Sequence, residues 1–212
     1  GLARMGFGGR VARAPSSGGQ LGDSPGAASA VPPGDRLAYT ARQVEQAGFD
    51  ALNIVGAGRA NCTAGLPGIG LITLNEVTTL AGFIARAVNI PTIVDADTGY
   101  GNPINTRRTI RDYEKAGVAG VHIEDQGWPK RCGHLAGKRV IPTGEMVAKI
   151  KAACDARRDP DFVTITRPDA IAIEGLDAAW NRGDAYHAAR PAAPSTRAPV
   201  GGAGIERVPH PL

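Results

Sequence analysis

The chain has 212 residues and a formal net charge of +4, enough for one domain with a substantial core or two small ones. Its basic residues are scattered rather than gathered into a stripe, which argues against a nucleic-acid partner. No uninterrupted apolar run approaches the ~18 residues that span a bilayer, so no membrane role is expected. Three dispersed cysteines, Cys62, Cys132 and Cys154, give no disulfide framework and fit a reducing, cytoplasmic setting.

Three zones follow one another. Residues 1–32 are rich in Gly, Ser, Pro and Ala, with arginines and no acid before Asp23. Such bias resembles an organelle transit peptide, yet the glycines oppose an amphipathic helix, and the reading is an irregular leader. Residues 33–187 alternate short β-branched runs with helical patterns. Residues 188–212 return to Pro, Ala, Gly and Arg without a period and read as an irregular tail.

In the middle zone the first strand is expected just before Pro33, in the poorly marked "GAASAVP". "TARQVEQAG" predicts a helix stopped by Gly48, and "ALNIVG" a strand. "TLNEVTTLAGFIARAV" has apolar residues at 74, 77, 80, 81, 84 and 88, at helical spacing, with Thr73 and Glu76 in capping-box register. "TIVDAD" is a short buried strand, "NTRRTIRDYEKAG" a helix ending at Gly117, and "AGVHIED" the next strand. "GEMVAKIKAACDA" is a helix, "DFVTITR" a strand, and "EGLDAAWNRGDAYHA" one last helix. Alternation of this kind predicts βαβ units and a parallel sheet with both faces covered. A (β/α)₈ barrel and an open doubly wound sheet both satisfy it. The dinucleotide-binding form of the open sheet loses ground, because no G-x-G-x-x-G follows the first clear strand.

Polar residues recur where these strands end: Asp95 and Asp97, then Glu124 and Asp125, then Arg167. In a parallel sheet all of them lie at the carboxyl edge, where α/β enzymes of both architectures place their sites. Taken singly, such acids can cap helices. Three strands in succession ending in charge point to a site. Asp95 and Asp97 are two apart and would share a side if the strand continued, and paired carboxylates are relieved by a hard cation such as Mg²⁺. His122 reads as a strand histidine rather than a ligand, and Arg107, Arg108 and Arg111 as a solvated helix face.

The loop between Asp125 and the helix near 144 is long, contains Gly127, Gly133 and Gly137, and has the length of a lid. It carries "PKRCGH", in which Lys130, Arg131 and His134 surround Cys132. Positive neighbours favour a thiolate and suit proton exchange, while an inert thiol in a basic loop is the plain alternative. No second Cys/His pair has zinc spacing.

"VDADTGYGN", "AGVAGVHIEDQGWPKRCGHLAGK" and "DPDFVTITRPDA" together resemble the isocitrate lyase/phosphoenolpyruvate mutase superfamily, and within it the short-chain lyases of 2-methylisocitrate and 2,3-dimethylmalate. The likeness covers about residues 33–187. It implies a (β/α)₈ barrel of TIM type, here incomplete at about the first five β/α units. It further implies Mg²⁺- or Mn²⁺-dependent carbon–carbon cleavage of a small 2-hydroxy di- or tricarboxylate into an α-keto acid and a dicarboxylate. By motif, Asp95, Asp97 and Glu124 are expected at the metal, and Val55, Gly56, Ala57, Gly133 and Arg167 around substrate carboxylates. Cys132 is expected as the general acid, with Lys130 and His134 beside it. Family members assemble as homo-oligomers, tetramers with swapped terminal helices, and no such helix is recognisable here. Oxaloacetate decarboxylases and phosphonomutases of the same superfamily remain as alternatives, as does a catalytically inactive remnant.

Four positions depart from the family pattern: Gly68 replaces an acid in "GLPG", Asn53 a tyrosine, Pro168 a threonine, and after "AYHAA" no sixth strand follows.

Overall fold

The computed structural model describes residues 32–132 and 135–189. Five strands form one parallel sheet in strict chain order: β1 (Gly34–Asp35), β2 (Leu52–Ile54), β3 (Thr92–Asp95), β4 (Gly120–Glu124) and β5 (Val163–Arg167). A doubly wound sheet reverses its strand order at a switch point. None occurs here, so of the two architectures compatible with the sequence the barrel type is the one observed.

The helices follow the same order: α1 (Ala38–Gln46), α2 (Gly56–Arg59) running into one π-turn (Ala60–Ala64), α3 (Leu74–Ala87), α4 (Pro103–Ala116), α5 (Thr143–Ala156), α6 (Ile171–Glu174) and α7 (Leu176–Ala188). Successive helices touch in series, α1 on α3, α3 on α4, α4 on α5 and α5 on α7, as on the outside of a barrel wall. Their inner faces bury Val77 and Ile84 of α3, Ile110 and Tyr113 of α4, and Met146 and Ile150 of α5 against Leu52, Val94, Val121 and Ile123 of the strands. Each such aliphatic side chain contributes about 1.5–3 kcal/mol when fully buried.

Helix starts follow the local chemistry. Thr73 accepts from the Glu76 amide while the Glu76 carboxylate accepts from the Thr73 N–H, the expected capping box. The helix expected from Asn105 begins two residues earlier, with Asn102 capping Ile104 and Asn105 and Pro103 in the first turn. Arg107, Arg108 and Arg111 are exposed along α4, as expected.

Two expectations are corrected, and one element goes unpredicted. The first strand lies after Pro33, at Gly34–Asp35, where the two residues pair with Asn53 and Ile54. The last helix is two, because Gly175 takes φ +88° between α6 and α7, a conformation closed to most side chains. Helix α2 and its π-turn, in the small-residue run after β2, carry no apolar period and are not legible from the sequence. All but Pro32 of the predicted leader and all but Ala188 and Ala189 of the predicted tail lie outside the described residues.

Candidate active site

The edge-of-sheet acids are assembled by register. Asp95 stands opposite His122, and Glu124 opposite Arg167. The β3–β4 ladder continues past the strand end, with Ala96 donating to the His122 carbonyl at 2.9 Å and Glu124 to the Asp97 carbonyl at 2.9 Å. The expectation that Asp95 and Asp97 share a side by strand continuation is not met. The strand ends at Asp95, and Asp97 adopts φ +48°, its N–H turned onto Asp95 Oδ1 at 2.9 Å. The two carboxylates are thus brought together by a tight turn rather than by strand alternation.

Lys130 reaches into this cluster from the long loop. Its ammonium is buried, 2.5 Å from Asp97 Oδ1 and 3.9 Å from Glu124 Oε1. The loop delivers it by a clamp: the Gln126 side-chain amide donates to the Arg131 carbonyl and its carbonyl oxygen accepts the Arg131 N–H, both at 2.9 Å. Gln126 and Val140 also form an antiparallel bridge that folds the loop back on itself. Cys132, two residues on, is a free and half-buried thiol. Gly133 and His134 lie outside the described residues.

Arg167 closes the other side. It lies 3.4 Å from Glu124 and 3.1 Å from Asp169, and Asp169 also takes Lys138 at 3.3 Å and the Gln126 amide at 2.9 Å. Asp169 is positioned by its own N–H, which donates to Asp125 Oδ1 at 2.8 Å. Pro168, which has no N–H to give, precedes that bond without interrupting it.

Burial and charge set the protonation states. Burial opposes the Asp95 charge, but His122, Lys130, the Asp97 N–H and Arg59 together hold its carboxyl below the ordinary range. Burial and the adjacent Asp95 push Asp97 up against the pull of Lys130. Burial pushes Glu124 up to about 8 despite Lys130 and Arg167. Burial works against the Lys130 charge as well, yet Asp97, Asp95 and Glu124 more than offset it and raise its pKa. Burial lowers His122, which lies 3.7 Å from Asp95.

Of the predicted carboxylate cradle, the Gly56 N–H is committed to Asp95 Oδ2 at 3.2 Å. A Cβ at Gly56 would collide with that carboxylate, so the close approach demands glycine. Gly56 also lines a small recess with Gly68, Gly70, Asp97, Lys130 and Arg59. At Gly68, a Cβ would fall 2.6 Å from Ala57 Cβ, so this backbone has no room for the side chain the family pattern carries there. Asn53 Oδ1, at the other departure, is buried without a hydrogen-bond partner among the described residues.

Among the described residues, no three His, Cys, Asp or Glu side chains are gathered as a closed metal cage. The donor chemistry nevertheless suits a hard cation. Asp95, Asp97 and Glu124 offer carboxylate oxygens within one buried cluster, and Glu124 Oε1 accepts no hydrogen bond among the described residues. Mg²⁺ requires only one or two protein carboxylates, the rest being water and substrate.

A family model described as phosphoenolpyruvate phosphomutase matches residues 38–190. The chain belongs to the phosphoenolpyruvate mutase/isocitrate lyase superfamily. It is 52% identical over 156 residues to 2-methylisocitrate lyase of Shewanella oneidensis, covering 74% of this chain and 53% of that protein. It is 47% identical over 156 residues to 2,3-dimethylmalate lyase of Eubacterium barkeri, covering 74% and 54%. A crystal structure of a 2,3-dimethylmalate lyase superposes with a TM-score of 0.76 at 39% identity, over 82% of this chain and 60% of that one. The chain therefore spans about half the length of the curated relatives it matches.

Several residues of this superfamily domain's site were not singled out in its sequence. Arg59, Gln126, Lys138 and Asp169 all touch or flank the acid cluster. Arg59 carried a usable signal, a lone cation in a run of small residues directly after a strand end. Tyr186 and Arg182 of α7 carried none, because α7 packs its polar side chains inward. Tyr186 donates to Asp125 Oδ2 at 2.7 Å, and Arg182 bonds Glu174 in bidentate fashion and the Ile141 carbonyl.

Proposed function

We propose that this domain serves a Mg²⁺-dependent carbon–carbon lyase that cleaves a 2-hydroxy di- or tricarboxylate of the 2-methylisocitrate type into an α-keto acid and a dicarboxylate. The observation that carries the reading is the meeting of Asp95, Asp97, Glu124, Lys130 and Arg167 at the carboxyl edge of the sheet. The two relatives with the highest identities above, both named as lyases, support the same reaction class.

In this reading Asp95 and Asp97 hold Mg²⁺, and Glu124 acts on it through water. When bound, the ion polarises the substrate oxygen and stabilises the negative charge that develops there (Mn²⁺ would serve similarly). Arg167 presents two guanidinium nitrogens to a substrate carboxylate, held in place by Asp169 and Glu124. Lys130 balances the buried acids before substrate arrives. As the substrate hydroxyl gives up its proton to solvent and the adjacent C–C bond breaks, the carbonyl of the α-keto acid forms and the electron pair stays on the departing dicarboxylate carbon as an enediolate. The Cys132 thiol supplies the proton that completes that product. The three dispersed cysteines fit a cytoplasmic enzyme, and assembly into a homo-oligomer completes the reading.

The test is release of pyruvate or glyoxylate from 2-methylisocitrate, isocitrate and 2,3-dimethylmalate with Mg²⁺, comparing wild type with Cys132→Ser. Turnover lost by at least ~100-fold in Cys132→Ser is expected for removal of a general acid. A folded wild-type chain that turns over none of the three substrates would reject the reading and leave an inactive member of the superfamily.

A further inference from the structure

Helix α2 carries one cation that this chemistry leaves idle. Arg59 is 1% exposed, among the most deeply buried side chains of the chain. Its Nη2 donates to the Asp95 carbonyl at 3.2 Å, while Nε and Nη1 have no hydrogen-bond partner among the described residues. Hydrogen bonding therefore does not compensate its burial. Its surroundings do so through charge, since Arg59 lines the same recess as Asp97 and Lys130 and lies against the Asp95 backbone.

We propose that Arg59 is a built-in counter-cation of the Asp95–Asp97 pair that weakens, by competition, the hold of this pair on a divalent cation. The inference rests on the reading of these acids as the Mg²⁺ ligands. Asp95, Asp97 and Glu124 share this edge with Lys130, Arg59 and Arg167, so a divalent ion arrives at a site whose negative charge is already largely offset. Lys130 and Arg59 differ in mobility. Lys130 sits on a loop at the end of a flexible stem and can withdraw as a metal enters. Arg59 ends a helix that Gly56 locks against Asp95, and its Nη2 is tied to the Asp95 carbonyl. It therefore repels the incoming ion for as long as the fold persists, in a medium where like charges are poorly screened.

Charge, not shape, makes the inference testable. Glutamine at 59 keeps an amide donor for the Asp95 carbonyl without the charge, and methionine removes both while filling similar volume. Mn²⁺ binding is followed by electron paramagnetic resonance of the free ion, on the full chain and on Arg59→Gln, Arg59→Met and Asp97→Asn. Folding is checked by circular dichroism. Both Arg59 variants are expected to bind Mn²⁺ ~10-fold tighter than wild type, a modest figure for removing a unit charge close to a divalent ion. The double variant Arg59→Gln/Asp97→Asn should lose that gain. Unchanged or weaker binding in folded Arg59 variants, with binding lost in Asp97→Asn, overturns the inference and leaves the metal reading standing. Undiminished binding in Asp97→Asn overturns the metal reading and the inference with it. Unfolding of both Arg59 variants also overturns it, because Arg59 would then be a structural necessity.

Discussion

The Tyr186 hydroxyl donates to Asp125 Oδ2 at 2.7 Å, joining α7 to the residue that follows β4. Asp125 passes the constraint on, since its other oxygen accepts the Asp169 N–H and Asp169 in turn holds Arg167. One helix outside the sheet thereby fixes an arginine at its edge.

Tyr186→Phe removes the hydroxyl and leaves Asp125 Oδ2 with Arg182 alone, at 3.5 Å. Loss of a hydrogen bond to a buried charged acceptor costs about 1–3 kcal/mol. A fall of that size in urea unfolding free energy is expected, with the slope unchanged. Paired with Asp125→Asn in a double-mutant cycle, the two changes should be clearly non-additive. Strict additivity would show that the bond does not stabilise the fold.

Gly68 supplies a second, steric prediction. A methyl group there would lie 2.6 Å from Ala57 Cβ and 2.8 Å from Ala57 Cα. Overpacking of this kind costs about 1–3 kcal/mol, so Gly68→Ala should lower the thermal midpoint measurably. Ala57→Gly removes one of the two clashes and not the other, and the double variant should regain part of the loss. No recovery in the double variant would place the strain elsewhere.

How much of this was legible beforehand depends on the kind of signal. The capping box at Thr73 and Glu76 and the helical period of α3 are local, and both appear as read. A parallel sheet follows from alternation, whereas its strict chain order does not, since alternation alone fits both barrel and open sheet. The first strand was misplaced because two residues, Gly34 and Asp35, carry no strand pattern. The edge acids were legible because each follows an apolar run. Their contacts were not: the turn at Asp97 depends on a left-handed backbone at a non-glycine residue, and the burial of Lys130 depends on the Gln126 clamp, a long-loop geometry without a sequence period. Arg182 and Tyr186 carried no sequence signal, and their burial comes from contacts with Asp125, Glu174 and the Ile141 carbonyl.

Lys130 gives a prediction that joins stability to metal. Lys130→Met leaves Asp97 buried without its nearest cation, while Glu124 keeps Arg167 at 3.4 Å. Breaking a buried pair from one side costs about 3–5 kcal/mol, so a large drop in thermal midpoint is expected at neutral pH without divalent ions. On the reading of these acids as Mg²⁺ ligands, millimolar Mg²⁺ should restore more of the midpoint in the variant than it adds to wild type. Equal shifts in the two proteins would mean that Lys130 and the ion do not share a place.

Lys149 yields a pH dependence of definite sign. It lies on α5, almost fully buried, donating to the Thr98 carbonyl at 3.3 Å with Glu145 at 3.9 Å. Burial lowers its pKa from the ordinary 10.5, and Glu145 only partly opposes this. In the folded state the proton therefore leaves at lower pH than in the unfolded state. Between those two values the unfolded chain binds more protons, so this residue's contribution to stability rises with pH. Below the folded value the cost of burying the charge is constant and fully present. Lys149→Met has no such proton, and the stability of wild type relative to the variant should improve as pH goes from about 7 to about 10. Parallel urea titrations of the two proteins across that range measure the difference directly, and a gap that stays flat or widens in favour of the variant would contradict the assignment.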